Sequence, residues 1–314
     1  IWAATNQGLY RLDNGKWTLE LAIATNSFIQ SVDGNLLVAS NDGLRVKTVT
    51  QDAVETTTHL SDSFISKLLC SSDGVIWCTS DRGIFSYDGM KWNRNQITNS
   101  TGVISWPNTT NIFEDSFGRI WFSFTSRRLQ FFSDGQLNPC SGTIWSGRII
   151  ETSSGQLWST SFSEPYFYDG NDDKKWVPVK GYGHPSSGWS YAIYEEKDGS
   201  IWIGGSEGIW KNQDNVWKQY LDAEQNSLAI LDIIRDDNDT LWASSGNGIY
   251  KLNSQDYFEL VKTIATFYPG QVEFHTTADS MLVAVDSQGL LINQGDKWVE
   301  HPSYDDGRSY RDWY

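Results

Sequence analysis

The stretch DGVIWCTSDRGIFSYDGMKW, Asp73 to Trp92, returns in altered form as DGSIWIGGSEGIWKNQDNVW from Asp198 and as DNDTLWASSGNGIYKLNSQDY from Asp237. Aligned on the apolar dipeptide that follows the turn, eight copies emerge: Ile1-Trp2, Leu36-Leu37, Ile76-Trp77, Ile120-Trp121, Leu157-Trp158, Ile201-Trp202, Leu241-Trp242 and Met281-Leu282. Their successive spacings are 35, 40, 44, 37, 44, 40 and 40 residues. A period near 40 with short strand-like runs is the signature of a β-propeller, in which each copy forms one blade. The expected fold is all-β, a propeller of four-stranded antiparallel blades, with eight blades favoured over seven.

Copy three shows how one blade is built. Ile65 to Cys70 reads as the inner strand, Val75 to Thr79 as the second, Gly83 to Tyr87 as the third, and the outer strand lies around Trp92. Asp-Gly pairs at 33, 73, 88, 134, 169 and 198 supply the positive φ that tight hairpin turns require. Trp2, Trp77, Trp121, Trp158, Trp202 and Trp242 share the second-strand position; Trp17, Trp92, Trp176, Trp217 and Trp298 share the outer one. A large flat side chain at one place in every blade is what blade-on-blade packing needs, so these residues are expected in the core. Trp210 stands where Phe85 and Tyr250 stand in their copies and joins them. Copy one lacks an inner strand, and the tail Gly307 to Tyr314 is left over. The expectation is one domain over residues 1–314, its ring closed by that tail, which leaves no open sheet edge at the seam.

Composition narrows the function. The 24 Lys and Arg against 39 Asp and Glu give a net charge of −15, a field that repels phosphate backbones, so nucleic acid is not an expected partner. No run approaches the roughly 18 apolar residues of a membrane span, so this chain is not expected to insert into a bilayer. Cys70, Cys78 and Cys140 have no metal-ligand spacing and read as small hydrophobes. The acidic run Asp169 to Asp173 reads as a solvated turn, because Lys180 stands where an EF-hand needs its bidentate Glu. Neither a metal nor a cofactor is expected.

The repeat, DxxGxIWxxTxxGIxxYDGxxW, closely resembles the two-component regulator propeller repeat of periplasmic sensor regions in membrane-anchored bacterial signalling proteins. The match is best at Asp73 to Trp92, Asp198 to Trp217 and Asp237 to Tyr257, and weak where Leu37 and Leu282 replace Trp. The resemblance implies a periplasmic or extracellular module that binds a small ligand, often an oligosaccharide, at the open face of the ring, with the signalling output carried by other domains.

Residues that the repeat does not impose are the candidates for function. Trp106, Trp145 and Trp189 are out of phase, and all precede an inner strand, in copies four, five and six. The same copies carry Arg128 where a Gly should open the third strand, Glu164 in the equivalent slot, and Tyr182, His184 and Tyr191 around Trp189. Aromatic faces beside charged and amide groups suit a sugar, whose C–H face stacks on a ring while its hydroxyls take fixed hydrogen-bond partners. The sequence therefore favours a non-catalytic module for an oligosaccharide or other small polar ligand. Two alternatives stand beside it: a protein–protein scaffold that docks a partner at the ring face, and a polysaccharide lyase using His184, Tyr182, Tyr191 and Arg128 or Arg148 for proton transfer.

Overall fold

The computed structural model describes residues 2–5, 8–13, 16–49, 54–95, 98–99, 102–103, 109–124, 129–140, 146–161, 163–168, 176–179, 188–214, 216–264, 272–276, 282–286, 289–295 and 297–300. The fold is an all-β propeller with eight blades. Among the described residues, seven are four-stranded sheets and the first is three-stranded. Blade 3 has its strands at Ile65–Cys70, Ile76–Ser80, Gly83–Tyr87 and Trp92–Asn95, within one residue of the expected inner three. Blade 1 begins at Trp2–Thr5, so its sheet has no inner strand among the described residues. A two-stranded ribbon, Thr98–Asn99 with Gly102–Val103, interrupts the series between blades 3 and 4.

By contact the chain divides into two compact units, one formed mainly by residues 1–146 and the other by residues 147–310. The first holds blades 1–4, the second blades 5–8. The inner strands of blades 2 and 3, 3 and 4, 6 and 7, and 7 and 8 lie side by side, and the apolar clusters span two neighbouring sheets. Trp77 packs its ring 4.7 Å from Phe132 and 5.9 Å from Phe122 of blade 4. Trp242 of blade 7 meets Trp298 of blade 8 edge-on at 5.3 Å. This is the blade-on-blade role read from the phase of the tryptophans. Trp77, Trp121, Trp176, Trp202, Trp242 and Trp298 are buried, while Trp2, Trp92, Trp158, Trp210 and Trp217 are half-buried.

A buried indole N–H needs an acceptor, and the turn between inner and second strands provides it. Trp121, Trp202 and Trp242 donate Nε1–H to Asp115, Glu196 and Asp236 at 2.7, 2.7 and 2.8 Å, each six residues upstream. The same turn is clasped from the next blade. Glu114, last in the inner strand of blade 4, accepts from the backbone and hydroxyl of Ser72 in blade 3, and Glu195 of blade 6 does the same for Ser153 of blade 5. Arg235 of blade 7 reaches Glu196 of blade 6 in the third variant of this latch. The expected Asp-Gly turns have glycine φ angles from 73° to 90° at Gly34, Gly74, Gly89, Gly135 and Gly199, whereas blade 7 puts Asp239 (φ 66°) in the glycine's place.

Among the described residues, no helix is long and apolar enough to cross a membrane, and no three metal-ligating side chains converge. Cys78 and Cys140 are buried, and burial pushes the Cys78 thiol far above its usual range. The run Asp169 to Asp173 and the tail Gly307 to Tyr314 lie outside the described residues.

Candidate functional site

Each described inner strand from blades 2, 3, 4, 6 and 7 shifts register near its start, between Thr25 and Ser27, Ile65 and Lys67, Thr109 and Asn111, Ser190 and Ala192, and Ile230 and Asp232. The extra residue of such a bulge has its side chain re-aimed out of the ladder. In blade 6 that residue is Tyr191, half-buried, with its phenol pKa raised by burial. One residue before the strand stands Trp189, 53% exposed, its ring edge-on to Tyr191 at 6.4 Å.

The backbone beneath Trp189 is fixed from two sides. Its carbonyl accepts the amide of Ser206 at 2.8 Å, from the turn between the second and third strands of its own blade. The next residue, Ser190, donates its amide to Ser163 of blade 5 at 3.1 Å and exchanges side-chain bonds with the backbone of Ser161. Gly205 is required here: a Cβ would lie 2.1 Å from the Trp189 carbonyl oxygen. The blade 5 turn is itself clamped, since the buried Ser161 hydroxyl donates to the Glu164 carbonyl at 2.7 Å and accepts the Ser163 amide. These bonds place the half-buried Glu164 on the turn that adjoins Trp189. Three expected site residues, Trp189, Tyr191 and Glu164, are thus gathered at one end of blades 5 and 6. Trp106, Trp145, Arg128, Tyr182 and His184 lie outside the described residues.

Arg148, one of the two arginines named for the lyase alternative, is engaged elsewhere. It stands on the inner strand of blade 5 and donates Nη1–H to Asp232 of blade 7 at 2.7 Å, past the intervening inner strand of blade 6. Arg148, Ala192 and Asp232 bond or pair with Thr160, Gly204 and Ser244, the fourth residues of their second strands, so the three stand at one level of their blades. Burial opposes the charge on Arg148, but the carboxylates of Asp232 and Glu273 outweigh it and raise its pKa above the ordinary arginine range. His59 is likewise structural: its ring lies beside Tyr87 and Trp92 and accepts the Trp92 indole N–H at 3.3 Å.

Sequence reasoning passed over Phe64. It is 40% exposed and occupies in blade 3 the place of Trp189 in blade 6, one residue before the inner strand. Its carbonyl accepts the Asp81 amide as that of Trp189 accepts Ser206. Phe64 sits in a copy that follows the repeat closely, which hid it. The usable signal was its distance from the inner strand, a distance that Trp145 shares.

Residues 184–207 match the two component regulator propeller family. The segment contains Trp189 and Tyr191, and the resemblance read from the repeat is thereby shown. No curated protein matches the chain in sequence. In structure it is similar to the extracellular domain of a hybrid two-component system from B. thetaiotaomicron, at 16% identity and a TM-score of 0.50, over 97% of this chain and 53% of that one. The chain therefore spans about half the length of that domain. Virginiamycin B lyase from Staphylococcus aureus, as a catalytically inactive variant with quinupristin, aligns at 15% identity and TM-score 0.57 over 83% of this chain and 91% of the lyase. The WD40 β-propeller domain of Doa1 aligns at 12% identity and TM-score 0.51, over 86% and 93%. At such identities the likeness is one of fold, and a propeller scaffold hosts many functions.

Proposed function

We propose that this propeller is a non-catalytic binding module for a carbohydrate or similar small polar ligand, acting outside the cytoplasm as the sensing part of a larger signalling system. The observation that carries the reading is the contrast between Trp189 and the phased tryptophans. The described ones among those are buried or half-buried, whereas Trp189 is 53% exposed on a pinned backbone, beside Tyr191 and the Glu164 turn. A rigid aromatic plate next to a carboxylate and hydroxyls suits a pyranose, and fixing it before binding removes an entropic cost. The family match over 184–207 and the likeness to an extracellular domain of a two-component system support the sensing role and the location.

Trp189→Ala is expected to leave the melting temperature nearly unchanged and to weaken binding of a neutral oligosaccharide by about 1–3 kcal/mol, the loss typical of an aromatic anchor. Tryptophan fluorescence titrated against a panel of neutral oligosaccharides reads both effects, and affinity should change little with salt because the contacts are not ion pairs. A variant that loses stability, with no oligosaccharide perturbing wild-type emission, sinks the reading.

One observation favours the scaffold alternative. Val32, Met90 and Phe117, on blades 2, 3 and 4, expose 82%, 89% and 76% of their surface at turn tips on the blade ends opposite the lead-in loops, and scattered apolar tips of this kind can seat a polypeptide. Pull-down with a partner, abolished by Met90→Glu and Phe117→Glu but not by Trp189→Ala, would favour it.

We also propose that the eight blades form one domain whose seam the tail Gly307 to Tyr314 closes by supplying the inner strand of blade 1. The three-stranded sheet of that blade motivates the idea. Deleting residues 307–314 is then expected to lower the melting temperature markedly, since an open sheet edge replaces a paired one; an unchanged value argues against this closure.

A further inference from the structure

Blade 3 carries a second arrangement of fixed groups, remote in sequence from Trp189 and within the other unit. The loop leading to its inner strand holds two non-glycine residues in the left-handed region, Leu60 (φ 49°) and Asp62 (φ 60°). Asp enters that region readily, but a bulky residue such as Leu60 does so rarely, and strained residues of that kind gather at ligand sites. The surroundings here are tight: a Cβ on Gly43 would lie 3.0 Å from the His59 carbonyl oxygen and 3.2 Å from that of Leu60. The loop ends at Phe64, whose amide donates to the Asp81 carboxylate and whose carbonyl accepts the Asp81 amide, both at 3.1 Å. Its ring is left half open to solvent.

Two guanidinium groups are drawn to the same corner. Arg82, in the turn that holds Phe64, donates Nη2–H to the Asp62 carbonyl at 2.6 Å. Arg94, on the outer strand, donates Nε–H and Nη2–H to the Arg82 carbonyl at 3.0 and 2.6 Å. Both are therefore oriented by backbone carbonyls, and neither forms an ion pair among the described residues. Of the nearby acids, Asp81 gives its carboxylate to the Phe64 amide, and Asp62 meets Arg82 through its backbone carbonyl. In a chain with 39 acidic and 24 basic residues, two arginines on adjoining elements without a carboxylate partner among the described residues are unusual. Each keeps several of its five N–H donors available, and a guanidinium fork is matched by the paired oxygens of an anion.

We propose that this corner of blade 3 is a second ligand site, for an acidic sugar: the ring stacks on Phe64, and its carboxylate or sulfate is taken by Arg82 and Arg94. Arginine forks match the planar carboxylate and the oxygens of a sulfate ester in the same two-pronged way, so the shared chemistry is an oxyanion on a pyranose. The site is independent of the blade 6 platform, which lacks a described cation, and either can fail without the other.

The test is calorimetric titration of the full chain with trigalacturonate, its methyl ester, and a sulfated disaccharide, at low and high salt. Binding of at least one acidic probe is expected, weakening as salt rises, with the methyl ester at least about tenfold weaker than the acid. Arg94→Gln should weaken the acidic probe by about tenfold or more while the melting temperature holds; Phe64→Ala should weaken it similarly, and Trp189→Ala should not. Which acidic probe binds tells carboxylate from sulfate. Equal affinity for acid and ester overturns the proposal, as does failure of both acidic probes. Should Arg94→Gln fold poorly, the salt dependence and the ester comparison on the unaltered chain still decide. Acid binding lost in Trp189→Ala but kept in Arg94→Gln would assign the anion to blade 6 and likewise overturn it.

Discussion

Trp202→Ala is expected to cost about 3–5 kcal/mol of stability, the range for emptying a large aromatic site in a core. The indole is 1% exposed, lies 4.6 Å from the Tyr220 ring of its own blade, and meets Phe258 of blade 7 edge-on at 6.2 Å. It spans a blade interface, so its loss opens a cavity that neither sheet can close by itself. Its Nε1–H also satisfies the buried carboxylate of Glu196 at 2.7 Å. Glu196 keeps Arg235 in the variant, which limits the second penalty and places most of the cost in the cavity. Trp202→Phe separates the two contributions: it retains most of the ring and loses the hydrogen bond, with an expected cost of about 1–2 kcal/mol. Urea denaturation read from the shift in midpoint at constant slope measures both. If Trp202→Ala proved as stable as the parent and bound ligand differently, the division between phased and unphased tryptophans would be wrong.

That division shows how far the sequence reaches. Strands of blade 3 were legible to within a residue, because Gly74, Gly83 and Gly89 demand their turns locally and Trp77 and Trp92 mark the apolar face. The acid six residues before Trp121, Trp202 and Trp242 was also in plain sight, but its role depends on how a hairpin turn folds back over the indole, which spacing alone does not reveal. Trp189 was found because it breaks the repeat. Phe64 was missed for the opposite reason: it belongs to a regular copy, and only the exposure of its ring separates it from the core. Nothing in the repeat marks Arg82 and Arg94; it is their hydrogen bonds to carbonyl oxygens, at Asp62 and Arg82, that tie them to the corner of Phe64. Arg148 stood beside Arg128 as one of two candidate arginines of the lyase alternative, and its partner Asp232 lies 84 residues away on another blade. No local pattern encodes such a pair, since it exists only once blades 5, 6 and 7 have come together.

The Arg148–Asp232 pair yields the other large expected effect, and its two ends should respond unequally. Asp232 is 3% exposed and receives three donors: Nη1 of Arg148 at 2.7 Å, the Ile233 amide at 3.0 Å, and the Phe274 amide of blade 8 at 2.8 Å. Asp232→Ala removes the acceptor for all three, leaving a buried amide of blade 8 unsatisfied and the cation of blade 5 with only Glu273 and solvent to offset it, at an expected cost of about 3–5 kcal/mol. Arg148→Met removes one donor only, and the carboxylate retains both amides. The arginine side chain is 38% exposed, so part of its charge is already hydrated, which lowers its share; the expected cost is about 1–2 kcal/mol. In the double variant the stranded cation is gone, so the combined loss should fall below the sum of the single losses, by an amount that measures the coupling. Asp232→Asn, which keeps an acceptor oxygen for one amide, should fall between the two single variants. Equal losses from Asp232→Ala and Arg148→Met would mean that the ion pair alone, rather than the junction of three blades at one carboxylate, holds this part of the propeller together.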